Sequence, residues 1–205
     1  MVMAFVQDDL FAAPQDLPQG LRYEPGFVTP AEQTALVAQI ETLPLREAKF
    51  REYFARRRVA HFHDGAGATA YDDGAADSVD HGPVPPWLAE VRDRVAAHLG
   101  MPASEIVHVL VSEYRPGTPI GWHRDKPVYG AVAGISLAGT GRMRFRPYEA
   151  QDAEHTHTLD LAPGSLYVMR DAMRWRWQHS LLPVKTLRYS ITLRTRATAR
   201  EQARW

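Results

Sequence analysis

Between residues 106 and 193 the chain reads as a succession of short, alternating apolar segments with no helix-length pattern among them. The segments fall at 106–114, 132–137, 143–145, 158–161, 166–169, 173–178 and 189–193. Turn-forming residues separate them: Pro116-Gly117, Gly139-Thr140-Gly141, Pro163-Gly164 and Pro183. A period of two marks a strand that buries one face. Parallel strands need long crossovers, usually helical, and none is available here, so the strands must pair antiparallel. About eight such strands predict a double-sheet jelly roll.

The first hundred residues read differently. Residues 1–20 suggest an extended arm, and Leu21-Arg22-Tyr23-Glu24 a short strand. Thr29-Pro30-Ala31-Glu32 is a helix start: Thr29 caps, Pro30 occupies the first helical position and Glu32 closes a capping box. Leu36, Val37, Ile40 and Leu43 then form an apolar stripe. Residues 50–63 are strand-like, with Val59, His61 and His63 alternating against Ala60 and Phe62. The Gly-, Ala-, Asp- and Pro-rich stretch 64–86 predicts a long surface loop, a type often used as a lid. A second helix is expected from Pro86, with Trp87, Leu88, Val91, Val95 and Leu99 on one side and Gly100 as its stop. The expected class is mainly β with flanking helices. One domain spans 1–205, with helices and a lid over 1–100 and a double-stranded β-helix (jelly-roll) core over 101–196.

The 205 residues contain no cysteine, which excludes disulfides, thiolate nucleophiles and cysteine-held zinc or iron-sulfur centres. Any metal must be held by histidine and carboxylate. The net charge is zero but unevenly spread. Acids prevail before residue 45, bases after residue 170, and Arg56-Arg57-Arg58 forms a basic cluster of the kind that contacts phosphates. The opening carries Asp8 and Asp9 and lacks a basic start followed by an apolar core, so no signal peptide is expected. No run approaches about 18 apolar residues. A cytoplasmic monomer without membrane attachment is the expectation.

Chemistry is concentrated in Gly121-Trp122-His123-Arg124-Asp125. On a strand, residues two apart share a face, so His123 and Asp125 would present an imidazole and a carboxylate together. These are two ligands of a 2-His-1-carboxylate triad, which leaves positions open on Fe(II) for a co-substrate and oxygen. His179 is the candidate third ligand. The second cluster, His61-Phe62-His63-Asp64, reads as lid or surface. In the last strand Arg188, Ser190, Thr192 and Arg194 share one face, opposite Tyr189, Ile191 and Leu193. In the first, His108, Leu110, Ser112 and Tyr114 lie opposite Val107, Val109 and Val111. Either these polar faces are the outside of the sheet, or they line a wet pocket. An arginine in such a pocket must meet an anion, and its planar fork matches a carboxylate.

From Ser112 onward the chain resembles the AlkB-like 2-oxoglutarate/Fe(II) dioxygenases. The matching pieces are Tyr114-Arg115-Pro116-Gly117, Trp122-His123-Arg124-Asp125, Gly134-Ile135-Ser136-Leu137, Met143-Arg144-Phe145-Arg146, Pro163-Gly164-Ser165, Trp177-Gln178-His179-Ser180 and the run 188–194. The opening is similar too, in Asp9-Leu10-Phe11, Leu17-Pro18-Gln19-Gly20-Leu21-Arg22-Tyr23 and Pro25-Gly26-Phe27. The resemblance implies that His123, Asp125 and His179 bind Fe(II). It implies that Arg188, assisted by Tyr114, pairs with the distal carboxylate of 2-oxoglutarate, and that Arg194 lies near the co-substrate. The implied reaction consumes O2 and 2-oxoglutarate. It removes an N-alkyl group from a base in alkylated DNA or RNA, single strands favoured, and releases aldehyde, succinate and CO2.

Three departures accompany the resemblance. Ser112 and Ser190 stand where members often carry asparagine; serine still hydrogen-bonds but reaches less far. Pro127 stands where the best-known members carry an acid that touches the damaged base. Base recognition therefore differs, or the substrate is not the usual base. The resemblance places Arg56, Arg57 and Arg58 in the lid region, where they are candidate phosphate contacts. Trp122 and Trp177 are candidates to flank a base, with core packing the expectation for at least one of Trp122, Trp175 and Trp177. His155 and His157 are expected to be exposed, as is the row Arg142, Arg144, Arg146. The competing readings keep the chemistry but change the substrate to modified RNA, protein or a small molecule, or replace it with a metal-free jelly-roll binding module for anions.

Overall fold

The computed structural model describes residues 17–50, 53–63, 81–149 and 155–205, with backbone alone at 48–50 and 53–56. The predicted arm before residue 17 and the loop 64–80 lie outside these residues. The strands are β1 (Leu21–Glu24), β2 (Arg46–Phe50), β3 (Tyr53–Phe62), β4 (Ile106–Tyr114), β5 (Ile120–His123), β6 (Tyr129–Leu137), β7 (Gly141–Pro147), β8 (His157–Leu161), β9 (Leu166–Met169), β10 (Trp177–Leu181) and β11 (Arg188–Arg196). The helices are α1 (Pro30–Glu41), α2 (Pro86–Leu99), α3 (Asp171–Arg176) and α4 (Ala199–Gln202). All strand pairs are antiparallel, in a seven-stranded sheet ordered β1-β9-β6-β11-β4-β3-β2 and a four-stranded sheet ordered β5-β10-β7-β8. This is the expected jelly-roll core with flanking helices.

Two apolar clusters fix the layers. Tyr189, Ile191 and Leu193 of β11 join Val109 and Val111 of β4 and Ile135 of β6 on the outer face of the larger sheet. The stripes of α1 and α2 cover that face through Ile40, Leu88 and Val95, with Leu36, Val37, Trp87 and Val91 around them. Each fully buried aliphatic side chain contributes about 1.5–3 kcal/mol here. The second cluster lies around the inner side of the sandwich, with Val132, Met143, Phe145, Leu161, Tyr167 and Leu181. The alternation of β11 therefore has a simple cause: one face is claimed by the helices, so Arg188, Ser190, Thr192 and Arg194 turn inward.

The capping box of α1 is present. The Thr29 N–H donates to the Glu32 carboxylate at 2.7 Å, and the Glu32 N–H donates to the Thr29 hydroxyl at 3.3 Å. Helix α2 ends at Gly100, as its sequence predicts. One expectation is corrected. The segment 173–178 is not one strand: residues 171–176 form α3, and the strand runs from Trp177 to Leu181. Met173 and Trp175 are buried from that helical turn, so apolar burial there was set by a short helix and not by pleating. Strands β1 and β3 stand where the sequence suggested strands, and with β2, which it did not, they complete both edges of the larger sheet.

Candidate metal centre and co-substrate pocket

His123 is the last residue of β5 and His179 lies in β10, where the two are direct partners across the strand pair. Pairing therefore brings their rings to 4.2 Å between centroids. Asp125 is not on the strand. It lies in the loop after β5, so the same-face argument from strand alternation does not place it.

Two arginines place Asp125 instead. Arg174 of α3 is 3% exposed and donates to main-chain carbonyls of the loop: Asp125 (3.2 Å), Lys126 (2.6 Å), Tyr129 (2.7 Å) and Gly130 (2.8 Å). Arg194 of β11 grips the side chain, with Nε at 2.9 Å and Nη2 at 2.8 Å from Oδ1. The other carboxylate oxygen, Oδ2, lies 3.7 Å from His179 Nε2. His123 Nδ1 is 2.9 Å from the Gly121 carbonyl, which can only accept. Nδ1 must therefore carry the proton, leaving the Nε2 lone pair for a ligand bond.

The electrostatics agree with that assignment. Burial opposes charge on Asp125, but Arg194, with His179, His123 and Arg174 around it, holds the carboxyl well below its ordinary range. Burial and the neighbouring His123 push His179 down to about 3, and burial also lowers His123. A charged carboxylate beside two neutral imidazoles is the protonation state that binds a divalent ion. By contact alone, no group of three is closed around a point among the described residues. The donor set nevertheless fits Fe(II): two neutral imidazoles and one free carboxylate oxygen on one pocket wall, with the remaining sides open.

The same pocket is lined by Arg57, Leu110, Tyr114, Tyr167, Arg188, Ser190, Thr192 and Arg194. Of the two readings of the polar row of β11, the pocket-lining one is present. Arg188 is 2% exposed, and its Nε donates to the Ser136 hydroxyl at 3.0 Å. Its guanidinium carbon sits 5.0 Å from the Tyr114 ring centre. A Cβ on Gly141 would lie 2.6 Å from Arg188 Nε, so only glycine leaves room for this side chain. Burial alone would push the Tyr114 phenol up, but Arg57 and Arg188 bring it below its ordinary value, with the Ser190 and Ser112 hydroxyls beside it. Burial pushes Tyr167 up to about 12, so it stays a neutral donor.

The substrate candidates divide. Arg57 reaches the pocket. Arg58, on the opposite face of β3, does not: its Nε donates to Glu113 at 2.8 Å, and that carboxylate also accepts from Arg115 at 3.1 Å. The Arg56 side chain lies outside the described residues. Trp122 does not line the pocket; the guanidiniums of Arg146 and Arg144 lie 4.1 and 4.8 Å from its ring centre. These two arginines are accordingly half-buried, and only Arg142 of the row is exposed. Trp177 packs at the edge of the inner cluster, and Trp175 is buried. His155 and His157 are exposed, as expected.

His61 and His63, read as lid or surface, are buried. They are 5% and 8% exposed because β3 pairs with β4 and carries them inside, next to His108. Sequence reading also missed Arg174, Tyr167 and the role of Gly141.

A two-sheet β-sandwich with a His-Asp-His wall and an arginine-lined pocket defines an oxygenase of the metal- and keto-acid-dependent class. The family model described as the 2OG-Fe(II) oxygenase superfamily matches residues 20–200, and the chain belongs to that superfamily. Its members use Fe(II), 2-oxoglutarate and O2. The branch it is similar to is the AlkB-like one. A probable RNA/DNA demethylase, ALKBH6 of Danio rerio, is 23% identical over 177 residues, 82% of this chain and 71% of that protein. Among solved structures, OsALKBH1 aligns with a TM-score of 0.68 at 14% identity, over 88% of this chain and 100% of that one. A prolyl-4-hydroxylase of Pseudomonas putida aligns at 0.55 and 19% identity, over 88% and 94% of the two chains. At these identities the structural likeness is one of fold. No helix among the described residues is long and apolar enough to cross a membrane.

Proposed function

We propose that the protein is an oxidative dealkylase of alkylated nucleobases in DNA or RNA. The observation that carries the reading is the joining of two elements in one pocket, the His123-Asp125-His179 wall and the buried Arg188-Tyr114 pair. His123 through Nε2, Asp125 through Oδ2 and His179 through Nε2 would hold Fe(II). When bound with 2-oxoglutarate and O2, the metal supplies the oxidising power, leaving succinate, CO2 and a hydroxylated N-alkyl group that sheds its aldehyde.

The chain's own residues account for the rest. Arg188 offers the distal carboxylate of the keto acid a planar fork already oriented by Ser136, and the Tyr114 or Ser190 hydroxyl can add a donor. Arg194 keeps Asp125 charged and aimed. Burial of these groups strengthens each ionic contact and excludes water from the reacting centre. Arg57 leaves a positive charge on the pocket wall, which suits a phosphate beside the reacting base. A single-stranded substrate fits best, since its base need not be pulled from a duplex.

A second reading keeps the oxidation and changes the substrate to modified RNA, protein or a small molecule. It is favoured by Pro127 and by the absence of Trp122 and Trp177 from the pocket lining: among the described residues no tryptophan lines that pocket to sandwich a base.

The test is a mass-spectrometric assay on single- and double-stranded DNA and RNA. The oligonucleotides carry N1-methyladenine, N3-methylcytosine or etheno adducts, with Fe(II), 2-oxoglutarate and O2, and His123→Ala as control. Loss of the alkyl mass with the native protein alone is the expected result. Succinate release without any loss of alkyl mass would move the substrate to the second reading, and neither product would overturn both.

A further inference from the structure

Behind the pocket lies a side chain that the proposed reaction does not use. His108, on β4, is 1% exposed and does not line the pocket. Its Nδ1 is 3.0 Å from Arg194 Nη1, and its Nε2 is 3.1 Å from His61 Nδ1. Its ring stacks on Tyr129 at 5.2 Å and lies 4.6 Å from the His63 ring.

The hydrogen-bond directions follow from one fact: a guanidinium only donates. Arg194 Nη1 must therefore donate to His108 Nδ1, which must be an unprotonated acceptor. A neutral imidazole then carries its proton on Nε2, and this donates to His61 Nδ1. The result is a directed chain in which His108 donates to His61 and Arg194 donates to both His108 and Asp125. Every N–H of Arg194 that the chain employs is committed: Nη1 to His108, Nε and Nη2 to Asp125 Oδ1.

We infer that His108 is a positioning residue for the metal-binding carboxylate. It acts through Arg194. An arginine anchored only by Asp125 could swing with it, whereas His108 fixes the guanidinium plane from the far side. With the plane fixed, Asp125 Oδ1 is held and Oδ2 is left facing His179 and the ion. Protonation of His108 would remove the acceptor and place a second cation beside the guanidinium. The environment prevents this, since burial, then Arg194, His61 and His63, keep His108 well below its ordinary value. The inference rests on the reading of Asp125 as a metal ligand.

The experiment compares native protein with His108→Leu and His108→Asn. Leucine removes the acceptor. The asparagine carbonyl stands near where Nδ1 stood and can accept from Arg194, although it cannot reach His61. Binding of Mn(II), as an air-stable probe, is measured calorimetrically with 2-oxoglutarate present. The Fe(II) dependence of succinate release and the thermal midpoint are measured alongside. We expect His108→Leu to weaken Mn(II) binding and raise the Fe(II) requirement at least tenfold, with kcat at saturating Fe(II) within about twofold. That corresponds to about 1.4 kcal/mol of metal affinity. His108→Asn should stay within about threefold of native in both, whatever its thermal midpoint. Equal Mn(II) affinity in native and His108→Leu protein, or equal losses in the leucine and asparagine variants, would overturn the inference. Native protein that binds no Mn(II) would instead overturn the metal-site reading beneath it.

Discussion

Replacing Arg174 with methionine tests how the loop bearing Asp125 is built. The side chain is 3% exposed and has four main-chain carbonyls as partners, at 2.6–3.2 Å. Hydrogen bonds from a charged donor contribute about 1.5–3 kcal/mol each, so the four together are worth roughly 6–12 kcal/mol before offsets. Two offsets apply. Burial, the largest influence on this guanidinium, lowers it to about 10, and removing the charge returns roughly 3 kcal/mol. Water entering the emptied space can also satisfy part of the carbonyl demand. The expected net loss is about 2–4 kcal/mol, in the range found when a buried polar network loses one member. The assay is urea unfolding of metal-free protein at pH 7.5, followed by Mn(II) titration under native conditions. Methionine should lower stability by that amount and weaken Mn(II) binding at least tenfold, because Asp125 loses its backbone anchor. Lysine keeps the charge but can serve only some of the carbonyls, and should fall between. A stability change under about 0.5 kcal/mol with native Mn(II) affinity would refute the account of this loop, since buried carbonyls cannot lose their donor without cost.

Other predictions follow from the same geometry. Arg188→Lys keeps the charge and loses the fork, so the apparent 2-oxoglutarate requirement should rise tenfold or more in a succinate-release assay, with iron binding unchanged. Gly141→Ala puts a methyl group 2.6 Å from Arg188 Nε, so it should displace the arginine and weaken 2-oxoglutarate binding severalfold by calorimetry. For pH, His108 is held neutral well below its unfolded value near 6.5. The unfolded chain therefore binds more protons as pH falls, and stability present above about pH 6.5 is lost below it. Acidification from pH 7 to 5.5 should therefore cost stability through this residue. Unfolding free energies of native and His108→Asn protein from urea titrations should thus converge on acidification, and parallel curves would contradict a neutral buried imidazole.

The jelly roll was legible because its signal is local. Alternation in 106–114 and 189–193 and the turn pairs between strands reflect sheets with two differently occupied faces, and each face left its own period in the sequence. The shared face of Arg188, Ser190, Thr192 and Arg194 was legible for the same reason; that it turns inward follows only from the helices covering the opposite face. The strand bearing His123 was read as reaching Asp125, but β5 ends at His123. Residues 173–178 misled because a six-residue helix and a strand share apolar residues too few to show a period. His61 and His63 misled because polar residues near a glycine-rich stretch look exposed, and their burial depends on a strand pairing across some fifty residues.

His123, Asp125 and His179 line one pocket, but strand geometry is not what brings Asp125 there. Asp125 sits past the end of β5, and its direction is set from α3, β11 and, one step further, β4. A two-residue spacing guarantees a shared face only while the strand lasts. Beyond it, the spacing guarantees proximity, and direction has to come from elsewhere. Here it comes from arginines 49 and 69 residues downstream. Neither has a sequence signature, because a guanidinium that serves main-chain carbonyls, or a single carboxylate oxygen, needs no particular partner residue type nearby. On the proposed reading, ligand identity is written in the motif, whereas ligand geometry is written in the long-range pairing of the sheets. That reading expects substitutions that spare the motif to weaken metal binding, and Arg174 and His108 are the positions where the separation is measured.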